Sequence, residues 1–141
     1  MSDYLENQLI DHVFRTGTFA KPASLYVALF TSAPSDSTPG TEVFGGSYAR
    51  VQRNPLDANW EATQGGVVGA SSGSTGATQN FAAITFPAPT ANWGVVTHVA
   101  VFDAVSGGNM LLHGALTIAK TVNNGDAPPS FAAGALDITF A

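Results

Sequence analysis

Apolar positions in this chain mostly alternate with other residues over short runs, and only once do they recur at helical spacing. That one place is Asp3 to Arg15, where Leu5, Leu9 and Val13, with Ile10 and Phe14 beside them, form a stripe of period 3.6. Asp3 and Glu6 have capping-box spacing, which predicts Asp3 as the N-cap. Arg15 suits the negative end of the helix dipole, and Gly17 is the expected stop. A helix with one apolar face must dock. The simpler reading places it on its own body, and the other on a neighbour.

The rest reads as strands. Asn92 to Leu116 is two apolar runs around a Ser-Gly-Gly-Asn turn, with Asp103 closing the first run. Strict alternation there puts Val95, Thr97, Val99 and Val101 on one face and Val96, His98, Ala100 and Phe102 on the other. Both faces are largely apolar, so this hairpin is expected at the centre of a sheet covered on both sides. Further strands are expected at Ser24 to Thr31, Ser47 to Arg53, Asn80 to Phe86, Thr117 to Val122 and Ala135 to Phe140. Shorter pieces are expected at Glu42 to Phe44 and around Trp60, from Leu56 to Ala62. In the last strand Leu136, Ile138 and Phe140 should face inward. The stretch 63–79 is uncharged and rich in Gly, Ser, Thr and Ala, which suits a mobile loop or an extended arm. Seven to nine turn-bounded strands predict a mainly β fold: one domain over residues 1–141, an antiparallel β-sandwich or jelly roll with one short N-terminal α-helix.

Composition narrows the function classes. Hydrophobic residues make up 45 % of the chain and charged residues only 11 %, about half the usual charged share. So sparsely charged a surface suits a protein covered by partners. The net charge is −5, with only five basic residues. Arg50 and Arg53 are the closest pair of them and make no track, so nucleic acid is not an expected partner. No apolar run approaches membrane-spanning length, and the acidic start MSDYLE is unlike a signal peptide. There is no cysteine, which excludes disulfides and thiolate metal sites.

Candidate chemistry is thin. His98 and His113 lie on the two hairpin strands, with residue numbers that would set them nearly opposite each other. With His12 they are the chain's three histidines, and no third ligand accompanies the pair. No nucleophile elbow, phosphate loop or paired inward carboxylate stands out among Ser71, Ser72, Ser74, Asp57, Glu61, Asp103 and Asp137. Neither an enzyme, a cofactor nor a metal is expected. Trp60 and Trp93 suggest a carbohydrate platform, against which Trp93 reads more simply as a core cap. The expected contacts are with proteins. The candidates are Leu5, Leu9 and Val13 on the helix, Tyr48, Arg50 and Gln52 on one strand edge, Val67 and Val68 in the loop, and Asp137 and Thr139 on the other edge. Both edges are expected to be open for a neighbour's strand.

Four segments, LYVALFTSAPSD (25–36), GTEVFGGSYARV (40–51), NWGVVTHVAVFDAVSGGNMLLHGAL (92–116) and SFAAGALDITF (130–140), resemble small virion proteins of tailed bacteriophages. The N-terminal YLENQLIDHVFRTGTF is similar to the same group. In size and inferred fold the chain also resembles the jelly-roll cement proteins that decorate some phage heads. The resemblance implies a virion structural protein assembled in the bacterial cytoplasm. Its first reading is a decoration protein on the outer capsid surface, bridging major capsid protein subunits and associating with itself as a dimer or trimer. Its alternative is a tail-fibre or baseplate-associated adaptor.

Overall fold

A computed structural model describes residues 1–140. It contains helix α1 (Asp3–Phe14) and eight strands: β1 (Tyr26–Phe30), β2 (Val51–Gln52), β3 (Ala77–Gln79), β4 (Ile84–Thr85), β5 (Gly94–Phe102), β6 (Met110–Val122), β7 (Ser130–Phe131) and β8 (Asp137–Thr139). The expected mainly β sandwich is present, with every strand pair antiparallel. One layer is a four-stranded sheet in the order β2-β1-β5-β6. Two short ribbons, β3-β8 and β4-β7, face it. Val27, Leu29, Val96 and Val99 from the sheet close on Ile84, Phe86 and Leu136 to form the main core. Ala28, Phe30, Ala100, Phe102 and Met110 form a second cluster. β5 is apolar on both faces because both faces are packed, whereas β6, expected beside it at the centre, is the outer strand of the sheet and is exposed over residues 117–121.

The β5–β6 pairing is irregular at two places, between Val96 and His98 and between Val101 and Phe102. At the first, Leu116 to Ala119 stand opposite Thr97 alone. The bulge moves Val96 to the side of Val99, in the main core, and leaves Val95 48 % exposed. Asp103 closes the hairpin as expected, taking the Asn109 N–H at 2.7 Å and the Asn109 amide at 2.8 Å.

The helix is capped by Ser2, not Asp3. Ser2 Oγ accepts from the Leu5 N–H at 3.3 Å, while Asp3 sits inside the first turn, where a negative charge suits the dipole. Ser2 also donates its N–H to the Leu111 carbonyl at 3.0 Å and its hydroxyl to Met110, which pins the helix start to β6.

Two expected strands are much shorter than their patterns. In Ser47 to Arg53 only Val51–Gln52 joins the sheet. Gly45, Gly46 and Ser47 all adopt positive φ (71°, 53° and 64°), so the chain turns and Tyr48 enters sideways. Its ring stacks on Phe86 at 6.2 Å and meets Trp93 edge-on at 5.4 Å. Its phenol oxygen accepts the Leu29 N–H at 2.9 Å, taking the place of a strand partner on β1. In Asn80 to Phe86 only Ile84–Thr85 is strand. Asn80 is fully buried, donates its side-chain amide to the Ala82 and Ala132 carbonyls at 2.9 and 2.7 Å, and accepts from the Leu136 N–H at 2.8 Å. That amide satisfies three backbone groups of two segments and bends the chain away from the ladder. Trp60 and Glu42 each contribute an isolated bridge, to Asn80 and Phe30, rather than strands of their own. At the C-terminal end Leu136 is buried, whereas Phe140 is 47 % exposed rather than inward.

The turns are welded to the sheet by one ion pair. Arg50 forks onto Glu42 through Nε at 2.8 Å and a terminal nitrogen at 2.7 Å, with side chains 7 % and 27 % exposed. The other terminal nitrogen donates to the Ala104 and Gly107 carbonyls at 2.8 and 2.9 Å, inside the β5–β6 turn. The guanidinium lies 3.7 Å over the Phe102 ring. Tyr48 donates to the same carboxylate at 2.9 Å.

Removing one member of so enclosed a pair strands the other. Arg50→Ala is expected to lower unfolding stability by about 3 kcal/mol in denaturant titration. Arg50→Lys should recover only part of it, since an ammonium cannot fork onto a carboxylate and reach the turn. A loss indistinguishable from that of an exposed arginine would refute this reading. Burial drives the Tyr48 phenol well above its ordinary pKa, against the lowering effect of the Leu29 N–H and with the Glu42 charge adding to the rise. Above the unfolded value near 10, the unfolded chain loses this proton while the folded one keeps it. Stability is therefore complete below that pH and is lost as pH rises. The tyrosinate absorbance step assigned by difference from Tyr48→Phe should appear only together with unfolding.

Candidate interaction surface

The ten candidate contact residues divide sharply. Leu5 is buried at home, and Leu9 is half-buried beside it. Tyr48 and Arg50 are engaged inside the molecule by the network around Glu42. Gln52 is exposed, its amide tied to Ser24 and Asn54. Asp137 and Thr139 are exposed on β8, which is paired to β3 through Gln79 and Ala77. Val67 is half-buried and Val68 is 85 % exposed. The stretch around them folds back on itself. Gln64 donates to the Ala70 carbonyl and accepts from the Ser72 N–H, both at 2.9 Å, and residues 77–79 become β3.

The helix docks through its first half only. Beyond Leu9 its apolar stripe faces water: Ile10 is 50 %, Val13 62 % and Phe14 82 % exposed. Phe44 and Ile118 are similarly bare, at 84 % and 81 %. Ile118 belongs to the bulge that interrupts β6, the long outer strand of the main sheet. The alternation pattern gives no sign of that open edge, because edge and centre positions carry the same period.

Two hollows flank this surface. One, of about 650 Å³, opens between α1, residues 55–71 and the β8 end; Leu5, Leu9, Leu56, Trp60 and Phe140 line it, with Lys21, Asp57 and Glu61 as its charged residues. The other, of about 580 Å³, lies between β6 and residues 127–139, over Val96, Val99, Phe131 and Leu136. The first is walled mostly by apolar side chains, whereas polar and apolar groups share the surface of the second.

The histidines do not converge. The register sets His98 against Ala115 and His113 against Ala100, so they are offset rather than opposite. His98 Nδ1 meets Thr97 Oγ1 at 2.8 Å, His113 Nε2 meets Asp36 Oδ1 at 2.9 Å, and His12 Nδ1 accepts the Phe19 N–H at 3.2 Å. Among the described residues no three His, Asp or Glu side chains are grouped to hold a metal ion. Trp93 is 5 % exposed and donates to the Gly46 carbonyl at 3.0 Å, so it belongs to the core rather than to a sugar platform. Trp60 is half-buried, with its indole N–H on the Asn54 carbonyl.

A protein-family model described as "Podophage GP4 fiber I protein gp80" matches residues 1–139. No curated protein matches the chain. The match runs from the helix through β8, across every element that builds the sandwich. The chain thus belongs to the podophage GP4 fiber I protein gp80 family of phage structural proteins.

Proposed function

We propose that this protein is a structural adaptor at the tail-fibre or baseplate level of the phage virion, acting through contact area rather than chemistry. The observation that carries the proposal is the family match over residues 1–139, whose description names a fibre protein. The surface supports it. Its exposed large side chains, Phe14, Phe44, Val68 and Ile118, gain by being covered, and so sparsely charged a chain makes contacts that salt barely weakens. Several modest contacts made at once give a stable attachment without a tight single site.

The cement reading, with the chain spread over the outer capsid surface between major capsid subunits, draws on the same kind of surface. The fibre description of the family favours the adaptor over it. Immunogold labelling of intact particles with antibody to this chain tests the choice. Label confined to fibres or their attachment points is expected. Label spread evenly over the head would reject the adaptor in favour of cement.

A further inference from the structure

The molecule carries an apolar knob and an apolar hollow that its own fold keeps apart. The knob is the end of α1, where Ile10 and Phe14 are 50 % and 82 % exposed. The hollow of about 650 Å³ lies beside the start of the same helix, against Leu5 and Leu9. At about 100° per residue, Phe14 lies about 140° around the helix from Leu9. The helix thus presents Leu9 to its own hollow and turns Phe14 away from it. We propose that Phe14 and Ile10 of one copy of this chain seat in the hollow of the next copy, a head-to-tail self-contact.

Size and charge both fit. The hollow is within the range of roughly 300–1,000 Å³ typical of sites that enclose a ligand. Phe14 is followed by Arg15, whose pair with Asp11 at 3.1 Å is open to solvent on both sides (71 % and 51 %). So exposed a pair holds weakly and can exchange partners. The hollow's lining sets the exposed Asp57 and the half-buried Glu61 against one base, Lys21, so its balance is acidic where an incoming Arg15 arrives beside Phe14. Each copy carries both halves of this match, which makes a second copy the natural occupant. A contact between different patches on two copies closes into a ring or continues as a filament. It is a property of the chain alone, so its failure would leave the virion location untouched, and the reverse also holds.

Sedimentation and native mass spectrometry of the full chain test it with Phe14→Gln, which blunts the knob, and Ala70→Asp, which puts a charge in the hollow. Both positions are exposed, so the melting temperature should hold. The wild type should assemble, and each variant alone should be monomeric. An equimolar mixture of the two should give a one-to-one heterodimer, since it retains one intact knob and one intact hollow. Should Ala70→Asp fail to fold, Asp57→Arg replaces it: assembly should weaken at least several-fold and return when Arg15→Glu is added to the same chain. A wild type that stays monomeric at every attainable concentration overturns the proposal, as does a Phe14→Gln variant that assembles like the wild type.

Discussion

The fold depends on the enclosed pair between Arg50 and Glu42. Sheets of this kind leave long turns at their ends, and turns with few apolar side chains have little to hold them. Here one guanidinium joins three such pieces: the loop at Glu42, the segment entering β2 and the β5–β6 turn. Burial makes the pair demanding, because desolvating a charge is costly unless its hydrogen-bonding groups find partners. The guanidinium meets that demand with two carboxylate oxygens and two carbonyls, and covers its flat face with Phe102. Tyr48 adds a neutral donor to the same carboxylate and caps β1 at Leu29. In a chain with only five basic residues, one of them is fixed inside the fold in this way.

The sandwich was legible in the sequence because its long strands keep apolar runs on either side of their interruptions. The β5–β6 hairpin has apolar runs on both strands and a Gly-Gly-Asn turn closed by Asp103, and each feature points to the same structure. What escaped the pattern were polar side chains acting as backbone. Tyr48 and Asn80 each lie in a run that alternates well enough to be a strand, yet each satisfies backbone groups that a longer strand would have satisfied. Periodicity weighs apolar positions and is blind to which carbonyl a buried amide will meet. The bulge at Thr97 escaped for a related reason, since Val95 and Val96 are chemically alike and only the register decides which is buried. The cap was misplaced by one residue because Ser2 and Asp3 are both good caps and Glu6 favoured the second.

The interaction surface was legible only in part. The helical stripe identified residues that dock, and docking takes up its first half while the second half lies bare. No single-sequence pattern divides a stripe between home and partner, because the two demands on the side chains are the same. Arg50 and Tyr48 were read as edge residues for a similar reason: an arginine in an alternating strand looks exposed until a carboxylate eight residues earlier folds back onto it.

Part of the chain's small charge is drawn into the fold while several large apolar side chains stay outside it. Arg50 lies under the turns, Arg53 donates to the Ala83 carbonyl and Lys21 reaches the Pro55 carbonyl, so the fold itself engages three of the few cations. Phe14, Phe44, Val68 and Ile118 remain outside. Water penalises that arrangement in a lone molecule, and the penalty is relieved as neighbours cover the patches. A surface of this kind favours assemblies in which each chain is flanked on several sides, and its contacts persist at ionic strengths that would loosen an electrostatic interface. The rigidity given by the enclosed pair then serves the same end. Apolar contacts carry little directional information, so the geometry of an assembly built from them must come from the shape of the folded body.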